Sequence, residues 1–280
     1  MRWVIGDIHG KVQPLATLLL ECRRHDPHAH FCFVGDYVNR GEESRSVIEL
    51  LIRLGGEGAA RFCRGNHDDV FDVLLNGKCF CDDTAATDPL QLFGWFMQFG
   101  LQNTLQSYGV DAGELKQTVR RPTLAKVRSL LNAVPDSHRQ FIRGLEPVLD
   151  ETDFVVMHAK WELTAANDPA TIHELLASRR DMRHGLLWNR FSMPEINAGK
   201  WWGRPIFFGH TPVTTYTRPK SQLTQPLLGP SIALIDTGAA VAKDGRLTAF
   251  CVDAGAYIQA AADGRLLTPE PLEAGELPDR

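Results

Sequence analysis

No apolar run in this sequence approaches the roughly 18 residues that a membrane-spanning helix needs. The opening stretch Arg2-Trp3-Val4-Ile5 reads as a strand rather than as the apolar segment of a leader, so a cytoplasmic location and no membrane partner are expected. Charge of one sign is also scarce. The formal net charge is −4 over 280 residues, too small to draw the whole molecule to nucleic acid or an anionic surface, so any anion binding must be local. Cysteine occurs six times but without the spacing of a disulfide framework, and three of the six lie in or beside apolar strand-like runs, as reduced core thiols do. Cys79-Phe80-Cys81 lacks the second pair that a zinc-binding array would need. There is no internal repeat.

What is present is an ordinary globular composition, 44% apolar and 23% charged, which allows a substantial core in one large domain. After Gly10, the apolar residues Leu15, Leu18, Leu19 and Cys22 recur at helical spacing, with Pro14 in the first turn, and predict a helix to about Arg24. Residues 31–35 read as a buried strand. A second helix carries Val47, Leu50, Leu51 and Leu54 and is predicted to stop before Gly55-Gly56, and Arg61-Phe62-Cys63-Arg64 reads as the next strand. This is β-α-β-α-β alternation, which implies largely parallel strands with ligands collected at their carboxyl ends.

From about 69 to 147 the pattern is helical and reads as an insert or cap. Its part from Lys116 to Arg143 holds seven Lys or Arg against one Asp, a basic surface or simply a solvated face. Strands return at 154–157, 206–209, 231–236 and 247–252, the last two expected to pair as a hairpin across Lys243-Asp244-Gly245-Arg246. A single domain over 1–267 is expected. The Pro- and Glu-rich residues 268–280 are expected to form a loosely held tail.

Five short pieces carry the chemistry. Gly6-Asp7-Ile8-His9-Gly10, Gly35-Asp36-Tyr37-Val38-Asn39-Arg40-Gly41 and Gly65-Asn66-His67-Asp68 each place metal-ligand side chains directly after a strand-like run. Met157-His158-Ala159 and Gly209-His210-Thr211 repeat the arrangement with histidine. Together they read as a split dinuclear site for phosphate, in which a strand-end carboxylate, Asp36, bridges two ions. Asp7 and His9 turn toward the first ion, and Asn66, His158 and His210 toward the second. Nitrogen and oxygen donors without thiolate suit two divalent ions, Mn first, with Fe, Zn or Co also fitting. Two dications against the carboxylates of Asp7 and Asp36 leave about two positive charges for a phosphate dianion. Arg40 is positioned to hold phosphate oxygens bidentately. Arg190 is either a second clamp or one half of a structural ion pair. His67 follows a ligand in sequence and should face the substrate as the acid for the leaving oxygen. The six remaining histidines have no motif context, and Trp95, Phe96 and Phe99 are read as core before any role under a nucleoside.

These motifs resemble the signature of the phosphoprotein phosphatase family of calcineurin-like metallophosphoesterases: GDxHG, GDxVDRG, GNHE, a strand ending in HA or HG, and GHTP. The resemblance spans residues 1–253. It implies an α/β fold, a four-layer α/β/β/α sandwich, with metal ligands at Asp7, His9, Asp36, Asn66, His158 and His210, phosphate contacts from Arg40, acid catalysis by His67, and in-line attack by a metal-bridging hydroxide. It also implies either a serine/threonine protein phosphatase or a symmetrical dinucleoside tetraphosphatase. Asn39 stands where the protein phosphatases carry the Asp beside the catalytic histidine, and Asp68 stands where they have Glu; both are similar to the tetraphosphatases. Leu187-Trp188-Asn189-Arg190 and Gly209-His210-Thr211-Pro212-Val213 are more similar to bacterial protein phosphatases. Hydrolysis of phosphomonoesters, on a phosphorylated protein or a small phosphoester, is therefore the first expectation, and hydrolysis of a dinucleoside tetraphosphate the alternative. A nucleic-acid substrate is disfavoured by the near-neutral charge.

Overall fold

The computed structural model describes residues 1–77, 88–161, 180–198 and 204–267. Cys79-Phe80-Cys81, His173 and the tail from Thr268 lie outside the described residues.

The alternating start forms as its periodicity predicts. β1 (Arg2–Ile5), α1 (Val12–His25), β2 (His30–Phe33), α2 (Ser44–Gly56) and β3 (Ala60–Phe62) follow one another, and the three strands pair in parallel, Val4 opposite Cys32 and Cys32 opposite Arg61. α1 buries the predicted stripe Leu15, Leu18, Leu19 and Cys22. α2 buries Val47, Ile48, Leu51 and Leu54 but runs on through Gly55 and Gly56. Glycine in a last turn weakens a helix without breaking it, because packing of the apolar face outweighs a propensity cost of about 1 kcal/mol.

The helical stretch contains α3 (Asn66–Asn76), α4 (Pro89–Met97), α5 (Leu101–Ser107), α6 (Ala112–Arg120), α7 (Leu124–Leu131) and α8 (Asp136–Arg143). Asp88, Asp111 and Thr123 cap α4, α6 and α7 by accepting from backbone amides of the first turn. Buried Arg64 ties α3 to the end of α8. It donates to Asp69 (3.2 Å) and Asp72 (3.0 Å), and to the carbonyls of Ile142 (3.1 Å) and Arg143 (2.9 Å). Of the basic residues counted in the sequence, Arg139 is spent internally on the carbonyls of Leu75, Leu131 and Val134, whereas Arg120, Arg121, Lys126 and Arg128 face solvent.

The second half supplies β4 (Leu149–Asp150), β5 (Val155–Met157), α9 (Arg180–Trp188), α10 (Met193–Ala198), β6 (Ile206–Phe208), β7 (Leu227–Leu228), β8 (Ile232–Leu234), β9 (Arg246–Cys251), β10 (Ala256–Ala261) and β11 (Leu266–Leu267). Two sheets result, ordered β11-β10-β9-β1-β2-β3 and β4-β5-β6-β8-β7. The expected hairpin between the strands at 231–236 and 247–252 does not form. β8 pairs with β6 and β7 in one sheet, and β9 pairs with β1 and β10 in the other. The turn residues around Gly245 therefore carry the chain from one sheet to its neighbour.

Strand alternation sorts the side chains into three cores. Trp3, Ile5, Phe31 and Phe33 face α1 and α2, while Val4, Cys32 and Val34 on the same strands face the second sheet. There they meet Val156, Phe207, Ala233 and Ile235, whose neighbours Val155, Met157, Ile206, Phe208, Ile232 and Leu234 pack outward with Leu186 and Ile196. This is the four-layer α/β/β/α arrangement. The loops leaving β1, β2, β5, β6 and β8 all open at the carboxyl ends of parallel strands.

Candidate metal centre

Five non-glycine residues among those described have a left-handed backbone: His9 (φ 47°), Asp36 (56°), Asn39 (70°), Arg40 (63°) and His210 (67°). All five belong to the strand-end motifs. Each costs on the order of 1–2 kcal/mol, and the strain persists because the loops are cross-bonded. The amides of Ile8 and His9 donate to the carbonyl of Asp36 (3.2 and 2.8 Å), and that of Gly10 donates to the carbonyl of Tyr37 (2.9 Å). Asp68 accepts from the amides of Asp36 (2.7 Å), Tyr37 (2.9 Å) and Gly65 (3.0 Å). Gly65 is required by close approach, since a Cβ there would lie 2.1 Å from Asp36 Oδ1.

These loops bring the six predicted ligands together, every one of them buried. The Asp36 carboxylate stands between His9 Nε2 and His158 Nε2, 3.5 Å from each. His9 and His67 cluster on one side of it, His158 and His210 on the other. Asn66 Oδ1 lies 2.9 Å from both His158 Nε2 and His210 Nδ1. Asp7 accepts from the backbone amide of His210 (3.0 Å) through Oδ2, and its Oδ1 is buried without a hydrogen-bond partner.

Carbonyl oxygens fix the imidazole tautomers, because a carbonyl can only accept. His9 Nδ1 donates to Val38 (3.0 Å), His158 Nδ1 to Val34 (2.9 Å) and His210 Nε2 to Trp188 (3.3 Å). The opposite nitrogen of each neutral ring therefore turns a lone pair toward Asp36 or Asn66. Lone pair against amide oxygen at 2.9 Å is repulsive unless a cation lies between, so the donor set fits divalent metal. Ionisation tells the same story. Burial, reinforced by Asp236 and Asp36, drives Asp7 well above the usual carboxylate range, and burial raises Asp36 and Asp68 to about 7 and Asp236 to about 6. Burial also lowers His9 to about 3, His158 to about 4 and His210 to about 2, so all three are neutral donors. Crowded carboxyls beside neutral imidazoles are stabilised by bound cations.

Around this cluster stand the remaining predicted residues. Arg40 lies over the Phe99 ring at 5.8 Å, and its Nε is buried without a partner. Arg190 is exposed and donates to Thr211 Oγ1 at 3.2 Å. Among the described residues it has no carboxylate partner, and both arginine charges favour the ionised form of Asp36. His67 is buried, its ring 4.7 Å from that of His9, and Asn39 Nδ2 lies 3.0 Å from His67 Nδ1.

Three residues of the site were not singled out from the sequence. Asp236, at the exit of β8, is a further buried carboxyl with charge influence on Asp7 and Asp36; an Asp ending an apolar run, as in Leu234-Ile235-Asp236, was the available signal. Thr104 and Ser44 had none. Thr104 Oγ1 accepts from the Asn39 amide (2.8 Å) and donates to Asn39 Oδ1 (3.0 Å), with Ser44 Oγ at 2.9 Å. The aromatic expectation divides. Phe96 is core, but Trp95 is 43% exposed and stacks on Trp188 at 5.6 Å, which stacks in turn on His184 at 5.9 Å. Trp188 also packs edge-on against His210, so this three-ring ledge borders the ligands.

The calcineurin-like phosphoesterase profile matches residues 2–226. A symmetrical bis(5'-nucleosyl)-tetraphosphatase of Marinomonas sp. is 39% identical over 100 residues, 33% of this chain and 36% of that protein. The protein of the same name from Dechloromonas aromatica is 32% identical over 154 residues, 51% and 55% of the two lengths. The chain thus spans about half or less of these curated relatives. A crystal structure provisionally assigned as a diadenosine tetraphosphatase shares the fold, with a TM-score of 0.51, 19% identity and 92% of each chain covered. A profile match over most of the sequence, a four-layer sandwich and strand-end side chains that could hold metal converge on one conclusion: the chain belongs to the calcineurin-like phosphoesterase family of metal-dependent hydrolases.

Proposed function

We propose that this phosphohydrolase acts on nucleotide phosphoanhydrides, a symmetrical dinucleoside tetraphosphate first among them, through a centre held by Asp7, His9, Asp36, Asn66, His158 and His210. The observation that carries the reading is the direction of the Asn39–His67 bond. The backbone amide of Asn39 occupies a lone pair of Thr104 Oγ1, and the single hydroxyl proton of Thr104 goes to Asn39 Oδ1. The Asn39 NH2 group is therefore left to face His67, so the amide donates and His67 Nδ1 accepts. With Nδ1 accepting, His67 is neutral and carries its proton on Nε2, and burial, with the nearby His9 and Arg40, holds its pKa well below the usual imidazole range.

A neutral imidazole can offer a hydrogen bond to a leaving oxygen but is a poor proton donor to an alkoxide. A departing nucleotide phosphate needs no proton, whereas a departing serine does. A pair of divalent cations, when bound, supplies positive charge to the phosphoryl oxygens and acidifies water. Arg40, with its buried unpaired Nε, clamps the phosphoryl group, Arg190 approaches from the opposite loop, and His67 Nε2 orients the leaving side. The Trp95–Trp188–His184 ledge offers a face on which a base can stack. The relatives named as tetraphosphatases agree with this substrate class.

The second reading, a phosphomonoesterase acting on phosphorylated side chains, is favoured by the exposed Arg190, which is accessible to a macromolecular substrate. One parallel assay separates the two: diadenosine tetraphosphate, an aryl phosphate and a phosphoserine peptide under Mn. The anhydride is expected to have the highest kcat/KM. A phosphopeptide turned over faster than the anhydride would reverse the order.

A further inference from the structure

Away from the catalytic loops, a second group of metal-ligating side chains meets at the amino end of β2. His30 and Cys32 are two residues apart on that strand and so share one face of the sheet. That face is turned to the second sheet, whose β4–β5 turn delivers Glu151. One ligand atom from each of the three lies within 4.8 Å of the other two. Cys32 Sγ stands 3.8 Å from Glu151 Oε1, close to the ~3.5 Å edge of a zinc tetrahedron with bonds of about 2.0–2.3 Å. Cys32 is fully buried, and His30 and Glu151 are half-buried. Among the described residues the His30 ring has no hydrogen-bond or ion-pair partner, and Glu151 accepts on Oε1 both from Arg61 Nη1 at 2.7 Å and from the Cys32 thiol, which leaves Oε2 as its oxygen without a side-chain partner.

We propose that His30, Cys32 and Glu151 bind a zinc-type divalent ion that pins the two sheets together, at the opposite end of β2 from the Asp36 loop. Thiolate, imidazole and carboxylate are the donor mixture that prefers zinc to manganese, and a solvent molecule completes four-coordination. The phosphohydrolase centre is built from nitrogen and oxygen alone and offers no thiolate. Binding transfers the Cys32 proton to solvent. Thiolate and carboxylate then cancel the charge of the ion, so Arg61 is not repelled. Arg61 also keeps its bidentate partner Glu146, with Nε–Oε1 at 3.1 Å and Nη2–Oε2 at 2.6 Å. The site is independent of which phosphate ester the enzyme cleaves.

Cobalt distinguishes the two centres, because only a thiolate ligand gives a sulfur-to-cobalt charge-transfer band. The metal-free full-length chain, kept reduced and titrated with Co2+, is expected to show that band. Cys32→Ser should abolish it, and the double variant Cys79→Ser/Cys81→Ser should retain it. His30→Ala should weaken cobalt affinity at this band by at least ~10-fold while leaving Mn-dependent hydrolysis of an aryl phosphate at the wild-type rate. Circular dichroism establishes that each variant is folded, and His30→Ala serves if Cys32→Ser is not. No band in the folded wild type, a band that survives Cys32→Ser, or undiminished affinity in His30→Ala would overturn the proposal.

Discussion

The carboxamide of Asn39 donates to His67 Nδ1 across 3.0 Å, and Thr104 fixes it in that orientation from the other side. A carboxylate in the same place could only accept, and would move the His67 proton onto Nδ1 and stabilise the imidazolium. Asn39→Asp is therefore expected to raise kcat on an alkyl phosphate such as a phosphoserine peptide by ~10-fold or more, with little change on an anhydride. A leaving-group series on both proteins measures this. Equal gains for every leaving group would remove His67 protonation as the cause.

Metal and rate should part company at different residues. Asp36 stands between His9 and His158, so Asp36→Asn should lose bound metal and activity together. His67→Asn should keep its metal and lose rate, by ~100-fold with poor leaving groups and less with good ones. Elemental analysis beside kinetics decides, and a His67 variant purified without metal would argue for a ligand role instead.

The aromatic ledge predicts a selective effect on affinity. Trp95→Ala and Trp188→Ala each remove one stacked ring, worth about 1–3 kcal/mol per base. The KM for diadenosine tetraphosphate should rise at least fivefold in either variant, while that for a small aryl phosphate stays put. The Trp188 carbonyl that holds His210 is backbone and survives the change. Parallel increases for both substrates would mean that the ring merely props up the metal ligands.

Gly100 abuts the backbone of Arg40. Its φ is +91°, and a Cβ would fall 2.2 Å from the Arg40 amide nitrogen, which itself donates to the Phe99 carbonyl at 3.1 Å. Gly100→Ala should lower the unfolding free energy by at least ~1–2 kcal/mol and also raise KM, because the clash displaces the Arg40 loop. Thermal melts and kinetics on one preparation test both halves; a melt unchanged from wild type would show that the loop yields freely.

Much of this was legible in the sequence for a local reason. The candidate ligands sit at the ends of short apolar strands, and a glycine at the strand exit is visible in the text of the chain, as at Gly6, Gly35 and Gly209. Strand partners were less legible. β8 and β9 are near neighbours in sequence around a turn typical of hairpins, but each contributes to the core between the sheets from a different side, and periodicity alone does not say which sheet a strand joins. The orientation of the Asn39 amide depends on Thr104, 65 positions away, and no short-range pattern encodes it. Trp95 was misjudged because burial follows from tertiary contacts; one side of it faces solvent over Trp188.

The five left-handed non-glycine residues bear on how this protein can be engineered. Substituting glycine at Asp36, Asn39 or His210 would relax the main chain but strip out a buried side chain whose partners, among them the His67 amide, Thr104 and Asn66, would be left unpaired, so the most obvious route to a sturdier variant is closed at these positions. Improvement must be sought in the sheets and in the outer helices, whose torsions are already unstrained and whose side chains never meet the phosphate.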